Sequence, residues 1–543
     1  RFYKSCWNAA WQDAGYLACA QISTWQNRLE DALYEIDHSL IRNWHNHKAR
    51  ALKATLLRRN GHPEAARKLI EESLAIDAFN FGCRYELYLL THDEQTLQTL
   101  QEMMRGEAHN YDEIALDYCA AGCWDEAISL WQLAISQQAV SPMTYYYMGW
   151  CMKQGGKEGY ADVFVQASQA CPDYCFPNRL EAILALQCAM EVNPSDAKAP
   201  YYLGNLYYDK RQYDLAVQAW ETSVQKDDTF PIAWRNLALA YFNKQQDEKK
   251  AVSCMERAFR LDPTDARILM ELDQLYKRLH RPHGQRLAFL QQYPELIARR
   301  DDLILEEATL LNQTGHYEEA KQIVDSHHFH PWEGGEGKVS GQYQFARIEL
   351  AKQALADGKT SEAIHLLEEC LVYPQNLGEG KLYGAQENDF YYLMGCAYQS
   401  MENQEKAVEC WEKATNGPTE PAAALYYNDA KPDKIFYQGM ALLKLGRTDQ
   451  AKGRFHKLVS YGEKHLFDQV RMDYFAVSLP DLLIWDDSLD TRNIVHCKYM
   501  MALGHWGLGE RKKALRLLDE AASLDNNHQG IYSTQTLIKL QLS

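Results

Sequence analysis

The stretch YYLGNLYYDKRQYDLAVQAW, residues 201–220, decides the fold. Leu203 and Tyr207 lie four residues apart on one face of a first helix, and Ala216 opens the facing side of a second. Polar residues between the two halves are typical of a tight turn. The same frame recurs in YYLMGCAYQSMENQEKAVECW, residues 391–411. The pattern therefore predicts two antiparallel helices joined by a turn, repeated along the chain.

Small residues recur at an interval near 34 residues, which indicates stacked two-helix units. The series is Ala32, Ala66, Ala127, Ala161, Ala182, Ala216, Ala251, Ala320, Ala363, Ala407, Ala451 and Ala514, with Leu100 and Arg286 in two gaps. A larger side chain where two helices cross would push their axes apart, at a cost of roughly 1–3 kcal/mol. We therefore interpret Ala216 and Ala407 as packing residues.

These features resemble the tetratricopeptide repeat, or TPR. Its signature has an aromatic residue early in the first helix, a Leu-Gly or Leu-Ala pair, a crossing Ala, a second small residue such as Ala414, and a closing proline such as Pro418. The resemblance implies an all-α, right-handed superhelix of about 14 helical hairpins. In such a superhelix the first helix of each hairpin lines the concave face.

The spacing divides the chain into three stretches. Residues 1–195 hold degenerate TPR-like repeats, and residues 196–330 hold the most regular ones. In residues 331–543 the interval lengthens to 43 or more, because extra sequence is inserted between hairpins. In a solenoid, insertions at one point of successive repeats emerge on the same edge, often the binding edge.

Four inserted segments carry the richest chemistry. They read PWEGGEGK at 331–338, PQNLGEGK at 374–381, YYNDAKPDK at 426–434 and DYFAVSLPD at 473–481. We expect them to lie side by side and to supply ligand- or partner-binding residues: Trp332, Glu333, Glu336, Lys338, Asn376, Glu379, Lys381, Glu387, Asn388, Asp389, Tyr427, Asn428, Asp429, Lys434, Asp473 and Asp481.

Three interpretations of these segments stay open. The charged residues could brace adjacent hairpins through ion pairs. Alternatively, the aromatic and amide side chains could form a site for a sugar ring or an extended peptide. In the third, two of the carboxylates act as acid and base in glycoside hydrolysis. No motif identifies such a pair, and the Gly-Glu-Gly-Lys phrase lacks the spacing of a phosphate-binding loop. Whether the chain is an enzyme is therefore open, with catalytic residues unknown.

The concave face of the regular repeats is a second candidate surface. It presents Tyr201, Asn205, Arg235 and Asn236. Asn236 lies in a phrase, WRNLA, that resembles the first-helix Asn of peptide-binding TPRs, which bonds a ligand backbone. The Lys/Asn clamp of chaperone-tail binders is not reproduced, and a solvated Asn is the simpler interpretation.

Composition limits the partners. The net charge is −17, so a phosphate backbone would be repelled and we expect no nucleic-acid partner. The sequence has no apolar run of about 18 residues, so we expect no membrane partner. Fourteen cysteines are scattered singly, which is typical of a reducing, cytoplasmic protein. The CxxxC pairs and the cluster at 327–330 lack convincing metal spacing, so we expect neither metal nor cofactor.

Longer phrases, at 199–211, 269–279, 330–338, 376–382 and 473–483, resemble a group of large bacterial proteins. In that group a β-rich half of unassigned function precedes a long TPR half. The chain opens at Arg1 rather than Met, so we expect an upstream part. The resemblance implies a scaffold for protein–protein or domain–domain interaction, with a protein, a peptide or its own upstream domain as partner. The alternative is the repeat portion of a carbohydrate-active protein.

Overall fold

The computed structural model describes residues 2–332, 334–423, 429, 431–471 and 484–542. Within these ranges the regular elements are helices, and no strand is present. The helices form two compact units, Arg1–Ala240 and Tyr241–Ser543. The all-α prediction is confirmed. The predicted division at residues 195 and 330 concerns repeat regularity and stays a prediction.

Helices of the first unit alternate between the two members of successive hairpins. They are α1 Phe2–Ser5, α2 Gln12–Trp25, α3 Leu29–Arg42, α4 His47–Arg59, α5 Pro63–Ile76, α6 Phe81–Thr91, α7 Glu94–Met104, α8 Ala108–Ala120, α9 Trp124–Ser136, α10 Pro142–Gln154, α11 Tyr160–Gln169, α12 Glu181–Val192, α13 Lys198–Asp209, α14 Tyr213–Lys226 and, ending beyond the boundary, α15 Pro231–Asn243.

The second unit continues the alternation. Its helices are α16 Glu248–Leu261, α17 Ala266–Arg278, α18 His283–Leu290, α19 Pro294–Ile297, α20 Asp301–Gln313, α21 Tyr317–Ser326, α22 Lys338–Ala356, α23 Thr360–Glu369, α24 Asn388–Ser400, α25 Gln404–Ala414, α26 Pro432–Lys444, α27 Thr448–His465, α28 Leu489–Gly507, α29 Arg511–Leu524 and α30 Gln529–Lys539. A short 3₁₀ turn, Gln375–Leu377, follows α23. No helix in the described ranges is long and apolar enough to cross a membrane.

Close approach within a hairpin depends on a glycine in the first helix and a ring in the second. A Cβ on Gly204 would lie 2.5 Å from the Trp220 indole, and one on Gly395 would lie 2.4 Å from Trp411. Real Cβ atoms do not approach this closely, so a larger residue would force the helices apart. Ala216 and Ala407 are fully buried beside these contacts, as predicted.

Two members of the small-residue series depart from the prediction. Ala161 is exposed, because α11 begins only at Tyr160 and its first turn faces outward; in this hairpin Gly149 packs on Phe164 instead. Arg286 is buried, and its charge is matched by carboxylates. Its Nη2 lies 2.6 Å from Asp273 Oδ2 and 2.6 Å from an oxygen of Glu306.

Candidate functional site

One asparagine side chain binds main chain from a distant part of the sequence. Asn243, the last residue of α15, donates through Nδ2 to the carbonyl of Ile484 at 2.8 Å. The backbone N–H of Asp486 donates to Asn243 Oδ1, also at 2.8 Å. An amide that donates and accepts in this way satisfies one carbonyl and one N–H of a non-helical segment. Asn243 therefore acts as a two-point clamp on the segment Ile484–Asp487.

Side chains of the clamped segment fill complementary positions. The Trp485 side chain is 1% exposed, and its Nε1 donates to the carbonyl of Glu271 at 2.8 Å. Its ring meets Phe242 edge to face, with centroids 5.4 Å apart. The acidic residues that follow are also paired: Asp486 lies 3.3 Å from Lys244 Nζ, and Asp487 lies 2.9 Å from Arg278 Nη1. An aromatic anchor with matched charges beside it is the arrangement of a peptide-binding site.

The predicted residues on α13 and α15 form a connected amide cluster. Asn236 donates through Nδ2 to Asn205 Oδ1 at 2.9 Å, and the same oxygen accepts from Trp220 Nε1 at 3.0 Å. Arg235 donates to Asn236 Oδ1 at 3.2 Å, while Tyr201 is buried behind them. The structure thus brings Asn205, Arg235 and Asn236 together, with both asparagines half-buried.

The first two inserted segments pack against each other. Asn376 donates through Nδ2 to the carbonyls of Val324 and His327, at 2.8 and 2.9 Å, which are free carbonyls at the end of α21. Its own carbonyl accepts from Phe329 N at 2.8 Å. Asn376, in the second inserted segment, therefore caps the C-terminus of α21.

Glu379 has a similar capping role at a helix N-terminus. Its carboxylate accepts from the backbone N–H groups of Gly337, at 2.8 Å, and Ser340, at 2.6 Å, in the first turn of α22. A negative charge there is stabilised by unpaired N–H groups and by the helix dipole. The two Gly-Glu-Gly-Lys phrases are thus neighbours, but Glu379 binds backbone rather than Lys338.

The residues before α24 are also engaged in bracing. Lys381 donates to the carbonyl of Leu371 at 2.9 Å and pairs with Glu387. Asn388 donates to the carbonyls of Ala414 and Asn416 at the end of α25, at 2.8 and 2.7 Å.

Lys434 and Asp389 form a buried ion pair beneath these loops. The Lys434 ammonium also lies 4.9 Å from the centre of the Phe390 ring. Burial opposes the charged lysine, but the nearby carboxylates of Asp389 and Asp433 outweigh it and raise the pKa of Lys434.

The other predicted loop residues do not converge on a common site. Trp332 folds back over Gly335, where an added Cβ would lie 2.3 Å from the indole. Glu336 and Lys338 are exposed, and Asp429 is half-buried. Five predicted residues lie outside the described ranges: Glu333, Tyr427, Asn428, Asp473 and Asp481. Nearby, His327 and His330 both contact Asp301, at 2.8 and 3.1 Å.

A surface cleft of about 560 Å³ lies beside the second insertion. Its lining residues are Asp325, Tyr343, Arg347, His365, Glu368, Glu369, Val372, Pro374 and Asn376. Arg347 dominates it but is fully occupied, since it bonds Asp325 at 2.8 Å and Glu369 at 2.7 Å and stacks on Tyr343. Of the predicted loop residues only Asn376 lines the cleft. The sugar-binding and hydrolytic interpretations gain no support from this arrangement.

Asn243 and the segment Ile484–Asp487 were the parts of this site that sequence reasoning failed to connect. Asn243 shares a face of α15 with Asn236, seven residues earlier, which is a signal visible in the sequence. Trp485 followed by two aspartates is also distinctive. Their separation of about 240 residues leaves no periodic signal to join them.

Comparison with known proteins places the repeats. Models of the tetratricopeptide repeat match residues 204–245, 233–265, 389–416 and 435–461. RANBP2-like and GRIP domain-containing protein 8 of Homo sapiens is 32% identical over 75 residues, which is 14% of this chain and 4% of that protein. E3 SUMO-protein ligase RanBP2 of Pan troglodytes is 32% identical over 75 residues, or 14% of this chain and 2% of that protein. The chain thus matches only a small fraction of the length of these relatives.

Solved structures with some likeness include a tetratricopeptide repeat protein from Parabacteroides merdae, at 14% identity over 55% of this chain and 98% of that one, with a TM-score of 0.25. YrrB, a TPR protein, is 15% identical over 43% of this chain and 95% of its own, with a TM-score of 0.17. TM-scores this low do not bear on the shape or function of this chain. The matched repeats and the hairpins that carry them show that the chain contains tetratricopeptide repeats.

Proposed function

We propose that this repeat protein is a scaffold that binds non-helical segments of partner proteins through the first helices of its hairpins. A helical array with matched repeats fits protein–protein interaction, and the side-chain amides of Asn236 and Asn243 each have chemistry suited to peptide main chain. The observation that supports this most strongly is the Asn243 clamp, because a side-chain amide of α15 holds a non-helical segment of main chain at two points.

The docking position for an external segment is the amide cluster of Asn205, Arg235 and Asn236. Asn236 lies two helical turns before Asn243 on the same face of α15. Its amide carries a second N–H beside the one given to Asn205, so it can also donate to a ligand carbonyl. By analogy with Asp486 and Asp487, which pair with Lys244 and Arg278, the preferred segment carries carboxylates.

Two finer assignments belong with this proposal. A reducing, cytoplasmic compartment is supported by the fourteen free cysteines, all buried except Cys171 and Cys396. The loop residues after 331 are further candidates for contact with a partner or with an upstream domain. Loss of those with structural partners, such as Asn376 and Glu379, should act first on stability.

The test is selection of peptides on an array of acidic and aromatic 12-residue segments with the full chain, followed by titration of the selected peptide. Replacing Asn236 with Ala should weaken binding about 5- to 30-fold, since one bonded amide contributes about 1–2 kcal/mol. Gln225→Ala, an exposed change on the adjacent α14, is the control and should leave affinity unchanged. Equal affinity for wild type and Asn236→Ala would contradict the proposed site.

A further inference from the structure

Helix α30 contacts helices of several hairpins of its own unit. Tyr532 of α30 donates or accepts a 2.7 Å bond with the Tyr317 hydroxyl, and Gln529 exchanges amide bonds with Gln342 of α22 at 2.9 Å. Thr534 lies 3.1 Å from the Tyr499 hydroxyl of α28. Beyond the helix, the carbonyl of Leu542 accepts from Tyr392 of α24 at 3.3 Å. One helix therefore spans a groove lined by α21, α22, α24 and α28.

The face of α30 that contacts the groove carries both apolar and polar side chains. Ile531, Thr534 and Leu537 are buried at three-residue spacing, whereas Gln535 and Lys539 are exposed. This spacing is the anchor pattern of an amphipathic helix laid in a groove. The groove thus already holds a ligand of recognisable type, supplied by the chain itself.

Beneath α30 the groove floor is charged. Glu349 and Lys352 of α22 have no exposed side-chain surface and lie 2.7 Å apart. Ser533 of α30 completes the cluster: its hydroxyl donates to Glu349 Oε1 at 2.6 Å and accepts from Lys352 Nζ at 2.7 Å. Burying such a pair carries a desolvation cost that close contact offsets only in part.

One acceptor of this floor, Glu349 Oε2, is shielded from solvent and has no hydrogen-bond partner among the described residues while α30 is in place. A buried acceptor without a partner costs about 1–3 kcal/mol, a cost that water relieves when the site opens. The polar floor therefore lowers the free-energy difference between docked and undocked α30, compared with an apolar floor of the same size.

We propose that α30 is an internal ligand that occupies a binding groove and is displaced by an amphipathic helix of a partner protein. The helix that replaces it carries apolar residues at the Ile531 and Leu537 positions and a hydroxyl at the Ser533 position, to meet Glu349 and Lys352. A further donor on that helix would satisfy Glu349 Oε2, which α30 leaves unpaired. This inference rests on the proposed use of first helices for protein partners and assigns a helical partner to the second unit.

Hydrogen exchange of the wild-type full chain tests whether α30 opens by itself. Backbone amides of α30 should exchange at least 100-fold faster than those of α22 around Glu349, because α30 undocks while the hairpins stay folded. Equal protection of α30 and α22 would overturn the inference, since α30 would then leave only on global unfolding. This measurement needs no variant.

A second experiment uses a fluorescent peptide of residues 526–542 as the probe. Leu537→Glu places a charge in the groove and should release α30, so the peptide should bind this variant at least tenfold more tightly than wild type. Gln535→Glu adds the same charge on the exposed side of α30 and should behave as wild type. If Leu537→Glu fails to fold by circular dichroism, Ser533→Glu, which sets a carboxylate against Glu349, replaces it. Equal affinity for the released and control variants would overturn the inference.

The two proposals fail separately. If α30 proves permanently docked but Asn236→Ala still weakens peptide binding, this inference is wrong and the proposed function stands. In the other case, the backbone amides of α30 exchange quickly and the probe binds the released variant, but no selected peptide loses affinity when Asn236 is replaced. The groove assignment then stands and the proposed amide site is wrong.

Discussion

Replacing Trp485 with Ala is the sharpest test of how the segment Ile484–Asp487 is held. The indole is 1% exposed and bonds the carbonyl of Glu271. Burying a tryptophan removes roughly 150–250 Å² from water, and truncation of a buried Trp to Ala costs about 3–5 kcal/mol. The lost hydrogen bond leaves that carbonyl without its partner and adds about 1 kcal/mol. We therefore expect the free energy of unfolding of the second unit to fall by about 4–6 kcal/mol.

The assay is urea denaturation followed by far-ultraviolet circular dichroism, which does not depend on the fluorescence of the removed indole. Trp7→Ala is the matched control: Trp7 is 84% exposed, so its loss should change the free energy of unfolding by less than about 0.5 kcal/mol. A loss below about 1 kcal/mol for Trp485→Ala would refute the anchoring role. It would mean that the Asn243 clamp holds the segment without the indole.

Two further predictions concern pH and packing. Burial raises the pKa of Asp112 to about 6, against hydrogen bonds from Trp131 and Thr144 that lower it. The folded state therefore favours the protonated acid. About 3 kcal/mol of the free energy of unfolding, present below pH 4, should be lost as the pH rises through 6, as measured by urea midpoints. Asp112→Asn should remove this pH dependence. Gly395→Ala should lower the melting temperature, since its Cβ would meet Trp411, whereas exposed Gly453→Ala should not.

The sequence was sufficient to predict the hairpins, because their packing is local and periodic. Ala407 lies twelve residues after Gly395, and both positions can be recognised from one repeat. The expectation that Ala161 packs between two helices was wrong, because the spacing of small residues does not reveal where α11 begins. Arg286 was noted as an exception without its reason, which is that Asp273 and Glu306 surround it.

The candidate sites were only partly predictable. The amide cluster at Asn236 follows from helical spacing, and the contact between the first two insertions follows from their repeat register. The capping role of Glu379 could not be predicted from the Gly-Glu-Gly-Lys motif, because it depends on where α22 begins. The clamp on Ile484 and the docking of α30 join residues far apart in sequence, and no periodic pattern encodes such contacts.

The bond between Asn243 and Ile484 closes a loop of some 240 residues. In a repeat array each hairpin contacts only its neighbours, so unfolding can begin at one end and spread stepwise. Ties from Asn243, His280 and Gln313 to residues 484–527 make the two ends of the second unit depend on each other. Closing so long a loop has an entropy cost that grows slowly with length. The hairpins of the second unit, apart from α30, should therefore melt as one cooperative block and fold slowly.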